Sequence, residues 1–423
     1  MSLRFFRVWM AALVVAVLSV ACGGGSSAPA PSGLTAVAGE TTVTVTWTMD
    51  AGVEYWLYVA PTSVAPTNNS SMHNWFGLAG GTVLMKVSSP YVVSGLTNGT
   101  SYSFSVNGRT GGGPGGPGAP TVSATPRLAG SSWTLGTPVT SASASVPDFN
   151  SLTLGGSYVA AGNAGALYSS TNGTSWTAIT PAAITPAPTT ANLNGVSYLG
   201  TYKVVGNGGV IFTSSDAVTW TERTSNTNNN LRAIASNGVN LSVAVGDIGT
   251  IVTSADGVSW TRATSSATTS NLYAVTFSTY NGGSWIAVGA GGTIVTSPDG
   301  LVWTDTGHAG VDLRGIASGL NASGSAITLV AVGANGTALS STDTSTWTAR
   351  TLTGVGANTM MNAVAYGTQF VSVGDGGMTY VSTDGTTWTQ ATPNATTSNL
   401  TAVVRGPLAY VAVGATGTNL LAK

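Results

Sequence analysis

The chain has 423 residues, of which 6% are charged, and 13 Lys and Arg against 14 Asp and Glu leave a net charge of −1. An average soluble domain carries about a quarter of its residues as charges, so solubility here must come from Ser, Thr, Asn and Gly. With no basic excess, long-range field favours neither nucleic acid nor an anionic membrane surface as a partner.

At the front, Arg4 and Arg7 precede an apolar run over residues 8–20 and then small residues. This reads as an export signal over residues 1–21, to be left out of the fold. Cys22, the only cysteine, follows Leu18-Ser19-Val20-Ala21 and precedes Gly23-Gly24-Gly25. The segment resembles a bacterial lipoprotein lipobox. The resemblance implies acylation of Cys22, membrane attachment through that lipid, a flexible tether over residues 22–31 and, through Gly23, the outer membrane, facing periplasm or surface. Ser19 stands where Leu is usual, and Ser19-Val20-Ala21 also suits ordinary signal peptidase. No other segment is long enough to span a bilayer.

Residues 32–126 alternate like sandwich strands: TTVTVTWT, EYWLYVA, TVLMKVSS, YVVSGL and TSYSFSVNGRT. Leu96 followed by Asn98-Gly99-Thr100-Ser101-Tyr102 looks like a tyrosine corner, and with Trp47 the segment resembles a fibronectin type III domain. Its insertion over residues 61–81 carries His73, Asn74, Trp75 and Phe76, an aromatic loop that either binds something or packs on its own sandwich. The GGGPGGPGAP run at 111–120 is too rigid and open for a core and reads as a loop before the last strand, with a short hinge ahead of residue 131.

From residue 131 the chain repeats. Trp133, Trp176, Trp220, Trp260, Trp303, Trp347 and Trp388 are each followed by Thr, 40–44 residues apart, and six of them close a turn of the type SADGVSW. A repeat of that length, built of short alternating runs separated by Asn-Gly and Asp-Gly signals, predicts four-stranded propeller blades. Asp216, Asp256, Asp299, Asp343 and Asp384, with Asn172 as the sixth, fill the turn. There the side chain can accept backbone N–H groups, which makes these residues structural. The final unit lacks a closing Trp turn, and the first has only the strand around Trp133. Joining them completes a seventh blade and removes an exposed edge. The fold class is all-β: a fibronectin type III-like sandwich, then a seven-bladed propeller over residues 131–423 closed by its N- and C-terminal strands. The running pattern resembles the Asp-box (BNR-type) propellers, in particular the group similar to photosystem II stability and assembly factors. In sialidase Asp boxes the Gly lies one residue further from the Asp than it does here.

Catalysis is disfavoured by inventory. Glycosidases need two carboxylates flanking the bond, and the propeller has one glutamate, Glu222. His73 and His308 fall in different domains, so no metal set or Ser-His-Asp arrangement is evident, and no cofactor is called for. Asn98, Asn172 and Asn335, each followed by Gly-Thr, read as turns. In a propeller the innermost strand lines the channel, and its start shares a mouth with the turns between second and third strands. The second position of that strand holds Asn194, Arg232, Tyr273, Arg314, Asn362 and Thr401; the turns hold Asn207, Asp247, Asn335 and Asp375. Arg232 and Arg314 either grip a carboxylate or an acidic loop by bidentate hydrogen bonds, or pair with Asp247 and nearby carbonyls and stiffen the rim. The expectation is a monomeric, exported, non-enzymatic scaffold contacting a protein partner, not nucleic acid. The alternative is a glycan-binding or degenerate sialidase-like propeller stacking sugar on Tyr273.

Overall fold

The computed structural model describes residues 26–422, apart from 140–145, 180–183, 186–189, 266, 280–281, 322, 357, 392 and 408. The expected export signal, Cys22 and the first part of the tether lie outside the described residues. Two compact units meet at Leu128 and Ala129. Among the described residues both are built of strands and short 3-10 turns, with no α-helix.

The first unit is a sandwich. One sheet is ordered Ser26–Ser27, Tyr102–Thr110, Val53–Pro61, Thr82–Val87, with Val122–Ala124 also on Tyr102–Thr110; the other is Thr35–Ala38, Val43–Thr46, Tyr91–Val93. Val43, Val45, Trp47, Tyr55, Leu57, Phe104 and Val106 fill the space between them, each contributing roughly 1.5–3 kcal/mol of burial for the larger side chains. The Tyr102 hydroxyl accepts the Thr97 N–H at 3.2 Å, which ties the loop back to the strand.

Two expectations about this unit change. Residues 26–31 do not run free: Ser26 and Ser27 pair with Thr110 and Arg109, and Ala28 is buried. The glycine-proline run is closely packed rather than open. Gly116 and Ala119 donate to the carbonyls of Gly108 and Val106, and a Cβ on Gly118 would lie 2.3 Å from the Met72 sulfur. Of the two readings of the 61–81 insertion, packing on its own sheet holds. Trp75 and Met72 cover Trp56 and Tyr58, leaving His73 and Asn74 exposed. Val53–Pro61 is therefore buried on both faces, as in a covered central strand.

Among the described residues the second unit contains seven sheets in chain order. The innermost strands are Phe149–Leu154, Leu193–Leu199, Leu231–Ser236, Leu272–Ser278, Leu313–Leu320, Met361–Tyr366 and Leu400–Arg405. Each packs beside the next, and the last packs beside the first. The seventh sheet is composite: its outer strand, Thr134–Leu135, comes from the start of the unit and pairs with Asn419–Ala422 from the end. Ile184–Thr185 adds a fifth, parallel strand along the outer edge of the second sheet.

The tryptophan turns have one geometry. In the third sheet Ser254 donates to Asp256 Oδ1 at 3.0 Å, which also accepts the Val258 and Ser259 N–H groups at 2.8 Å, while Gly257 N–H meets Ser254 Oγ at 2.8 Å. Asp216, Asp299, Asp343, Asp384 and Asn172 repeat this pattern. The Thr219 and Val218 N–H groups, with Ser214, hold the Asp216 carboxyl down to about 2. The side chain thus completes a turn the backbone cannot satisfy alone, and the Trp that follows is buried in four of the six turns: Trp220, Trp260, Trp303 and Trp388.

Candidate functional site

In these antiparallel sheets the start of the innermost strand faces the end of the second, as Leu231 faces Gly246. The turns leading into the third strands therefore share that end, while the Asp turns lie at the other. Each innermost strand opens with a buried apolar residue, such as Leu193 or Met361. In all seven the register slips between that residue and the one two further on. The residue between is the extra member of a β-bulge, which leaves the ladder and can be aimed elsewhere. It is Asn150, Asn194, Arg232, Tyr273, Arg314, Asn362 or Thr401, one per sheet around one rim.

Four of these residues join sheet to sheet. Asn150 Nδ2 donates to the Leu193 carbonyl at 3.0 Å, Asn194 to Leu231 at 2.8 Å and Asn362 to Leu400 at 2.9 Å. Thr401 Oγ1 donates to Phe149 at 2.6 Å, linking the last sheet to the first. The amides are also anchored within their own sheets, on Asn163, Asn207 and Asp375. Asn194, Asn362 and Asp375 are thus engaged in joining the rim. Asn335 sits one position later than Asn207, Asp247 and Asp375, at the turn's tip with φ 57°.

Two parts of this rim escape a reading by pattern. Asn150 lies in FNSLTL, which carries no apolar-Ala-Val signature to align it. The residue just before each innermost strand matters as well. Asp148, Asn192, Asn230, Asn271, Asp312 and Asn399 each accept the N–H at the tip of the preceding sheet's turn, at 2.8–3.0 Å. Recurring Asn or Asp immediately before an apolar strand was the available signal.

Three adjacent sheets break the pattern. Arg232 makes a two-point contact with Asp247, Nε to Oδ1 at 2.8 Å and Nη2 to Oδ2 at 3.0 Å, and Asn230 adds a third hydrogen bond to that carboxylate. The Arg232 hydrogen bond holds the Asp247 carboxyl below its usual range, and the same bond raises the guanidinium. Arg232 therefore takes the pairing arrangement, and its carboxylate-binding edge faces its own neighbour. Tyr273 lies under Arg314, whose guanidinium carbon is 3.9 Å from the ring centroid, a cation–π stack that covers one face of the ring. Arg314 reaches Asp312 at 3.2 Å through one Nη only, and its Nε is buried without a hydrogen-bond partner. Arg232 and Arg314 side chains keep 37% and 38% exposure. The arc Arg232–Tyr273–Arg314 is thus half-exposed and polar, and none of its side chains makes the sheet-to-sheet hydrogen bond seen at the other four bulges.

Among the described residues no group of three or more His, Cys, Asp or Glu side chains is placed to hold a metal ion. No helix there is long and apolar enough to cross a membrane.

This architecture is that of an all-β protein in which a fibronectin type III domain precedes a propeller. Residues 29–124 match the fibronectin type III domain family, and residues 298–422 match the family described as DUF6242 beta propeller domain. Among solved structures, YCF48 from Cyanidioschyzon merolae is similar at 16% identity and a TM-score of 0.53, over 69% of this chain and 98% of that one. A structure of YCF48 bound to D1 peptide gives 16% and 0.53, over 69% and 94%. Virginiamycin B lyase from Staphylococcus aureus gives 12% and 0.55, over 69% and 99%. At these identities the likeness is one of fold, and it takes in a peptide-bound protein and a lyase alike. No curated protein sequence matches the chain.

Proposed function

We propose that this chain is an exported, monomeric, non-enzymatic binding protein, anchored to the outer membrane by a lipid on Cys22, whose rim contacts a protein partner. In this reading the seven sheets are the blades of a closed propeller carrying Asp-box turns, and the chain works in the manner of an assembly or stability factor. The observation that carries it is the break in the stapled rim. Four bulge residues hydrogen-bond to the neighbouring sheet, whereas Arg232, Tyr273 and Arg314, side by side on the third to fifth sheets, do not. Beside them Ile248 stands 62% exposed at a turn tip, an aliphatic knob next to the Arg232–Asp247 pair. Aromatic, arginine and aliphatic groups on a pre-organised surface suit a protein contact. The structure of YCF48 bound to D1 peptide supports the same use of a similar fold. Sugar stacking on Tyr273 is less well served, because Arg314 already covers one face of its ring.

The test is in-cell crosslinking and affinity capture of the tagged, membrane-anchored protein, with a Tyr273→Ala/Arg314→Ala variant beside it. A specific protein captured by the native chain and lost in the variant is the expected result. Equal capture by both would remove the rim as the contact, and capture of no protein by a correctly exported chain would remove the reading. Labelling with radioactive palmitate, abolished by Cys22→Ser, is expected for the anchor.

A further inference from the structure

At the rim end of the second and third sheets, between their outer strands, lies a cavity of about 770 Å³. It is separate from the arc just described. Its walls are the turn at Gly208–Val210, the segment 222–229, and Arg262 from the third sheet. Charge is scarce in this chain, yet the propeller's one glutamate, Glu222, and two of its six arginines, Arg223 and Arg262, line this single cavity. Glu222 and Arg262 are exposed, and although both pair through their backbones in strand ladders, neither side chain is engaged in a hydrogen bond or ion pair among the described residues.

The remainder of the cavity is built rather than loose. Arg223 Nε donates to Thr213 Oγ1 at 2.9 Å, which fixes the plane of its guanidinium and leaves its Nη groups for another partner. Asn226 bonds the Trp260 carbonyl and Asn229 the Thr250 hydroxyl, both at 2.7 Å, so the loop is held to the neighbouring sheet. Asn226 has φ 58°, a left-handed conformation that Asn tolerates.

We propose that this cavity binds a hydroxyl-rich ligand bearing one carboxylate, the chemistry of an acidic sugar residue. Two guanidiniums and one carboxylate leave a local charge of +1, which one carboxylate neutralises. Arg262 and the free edge of Arg223 take the carboxylate, since the planar fork of arginine matches its two oxygens. Glu222 accepts hydroxyl protons, and the amide and hydroxyl side chains between them complete a polyol's hydrogen bonds. A phosphate dianion is disfavoured by Glu222, and an apolar peptide by walls with little aliphatic surface beyond Val210. The volume is that of a small-ligand site, which runs from about 300 to 1,000 Å³. Free acidic sugars and the ends of acidic polysaccharides share this chemistry.

The test is titration calorimetry on the full chain with galacturonate, galactose, inorganic phosphate and trigalacturonate as probes. Galacturonate is expected to bind at least about tenfold more tightly than galactose or phosphate, with the preference falling as salt rises. Arg262→Ala should weaken galacturonate by about tenfold or more, and Glu222→Gln, which removes a negative charge while keeping a hydroxyl acceptor, should narrow the preference for galacturonate over phosphate. Both residues are exposed, so melting curves should show the folds unchanged. Trigalacturonate tighter than the monosaccharide would identify a polysaccharide end as the source; equal affinity would identify the free sugar. Equal binding of galactose or phosphate, an Arg262→Ala variant that binds as the native chain does, or no galacturonate binding would overturn the proposal. Partner capture is read on Tyr273 and Arg314 and sugar binding on Arg262 and Glu222, so either reading can fail alone.

Discussion

Lys203 occupies a place that the six other sheets give to a branched aliphatic: Val159, Val243, Ile286, Val330, Val371 or Val411, all fully buried. Its residue exposure is 3%, its ammonium meets only Thr201 among the described residues, and its Cε lies 2.9 Å from where a Cβ on Gly257 would stand. Burial alone pushes the amine below its usual range. A base with a lowered folded pKa destabilises the native state fully below that pKa, and the penalty fades as pH rises towards the unfolded value of 10.5. Lys203→Val should therefore stabilise the fold at neutral pH by about 1 kcal/mol or more, with the advantage shrinking in alkali. Urea unfolding at pH 7 and pH 10 checks both parts, and a destabilised variant at pH 7 would contradict them. Ile248 makes the complementary case. It is β-branched with φ 55°, where other sheets use Gly208, Gly291 or Gly376, and such strain costs about 1–2 kcal/mol. Thr344, with φ 69° in an Asp turn at the other end, carries the same strain. Ile248→Gly and Thr344→Gly should both raise the melting temperature, but only Ile248→Gly should weaken partner capture. Equal capture by both would leave Ile248 without a role in the contact.

The Asp turn is the element that makes the fold readable in sequence, and it also sets an acid limit. The carboxyls of Asp216, Asp256 and Asp343 are held at about 2, first by the N–H groups of Thr219, Ser259 and Thr346. At Asp384 burial acts upward and is outweighed by hydrogen bonds from Thr386 and Thr387, again to about 2. Depressed acids stabilise the fold above their unfolded value of 3.8, and that contribution is lost as pH falls through about 2. Replacing these four by Asn, the residue Asn172 already uses in the first sheet, should keep the fold at pH 7 and flatten its loss of stability between pH 4 and pH 2. Urea midpoints across that range test it, and an equally steep loss would show that other groups set the acid limit. The turn was legible because its Ser, Asp, Gly and Trp act within a few residues of one another. The bulges were not, since a register slip leaves no mark in a strand of six residues. Nor was the engagement of Asn194 and Asn362, which depends on the carbonyls of Leu231 and Leu400 in the next sheet. The glycine-proline run misled for the same reason: Gly116 and Gly118 are small because Ala28 and Met72 lie against them, and neither neighbour is close in sequence.

At the scale of the molecule, the rim works only as a ring. The arc Arg232–Tyr273–Arg314 is positioned by sheets whose order is held by hydrogen bonds from each to the next, and the last of these runs from Thr401 to Phe149. Further ties across that junction are the Thr416 N–H on Asp148, the Gly417 N–H on the Pro147 carbonyl, and the composite seventh sheet, where Leu420 and Leu421 pair with Leu135 and Thr134, and Asn419 donates to the Thr137 carbonyl at 2.6 Å. These ties are all non-covalent, so in the proposed closed propeller ring closure is an equilibrium property. Deleting residues 415–423 removes the strand lying between Tyr410–Gly414 and Thr134–Leu135 and exposes an edge on each. The loss is of several kcal/mol, which for a unit of this size corresponds to a fall of about 10 °C or more in melting temperature. Thr401→Val removes one hydrogen bond while keeping both strands, and should lower melting by only about 2–4 °C. If the truncated chain melts like the native one, the terminal strand does not close the ring in solution. The rim would then be held by the sheet-to-sheet hydrogen bonds of Asn150, Asn194, Asn362 and Thr401 alone, and partner capture should survive the truncation as well. If melting falls and capture falls with it, while Thr401→Val retains capture, the contact depends on the closed ring rather than on any single staple within it.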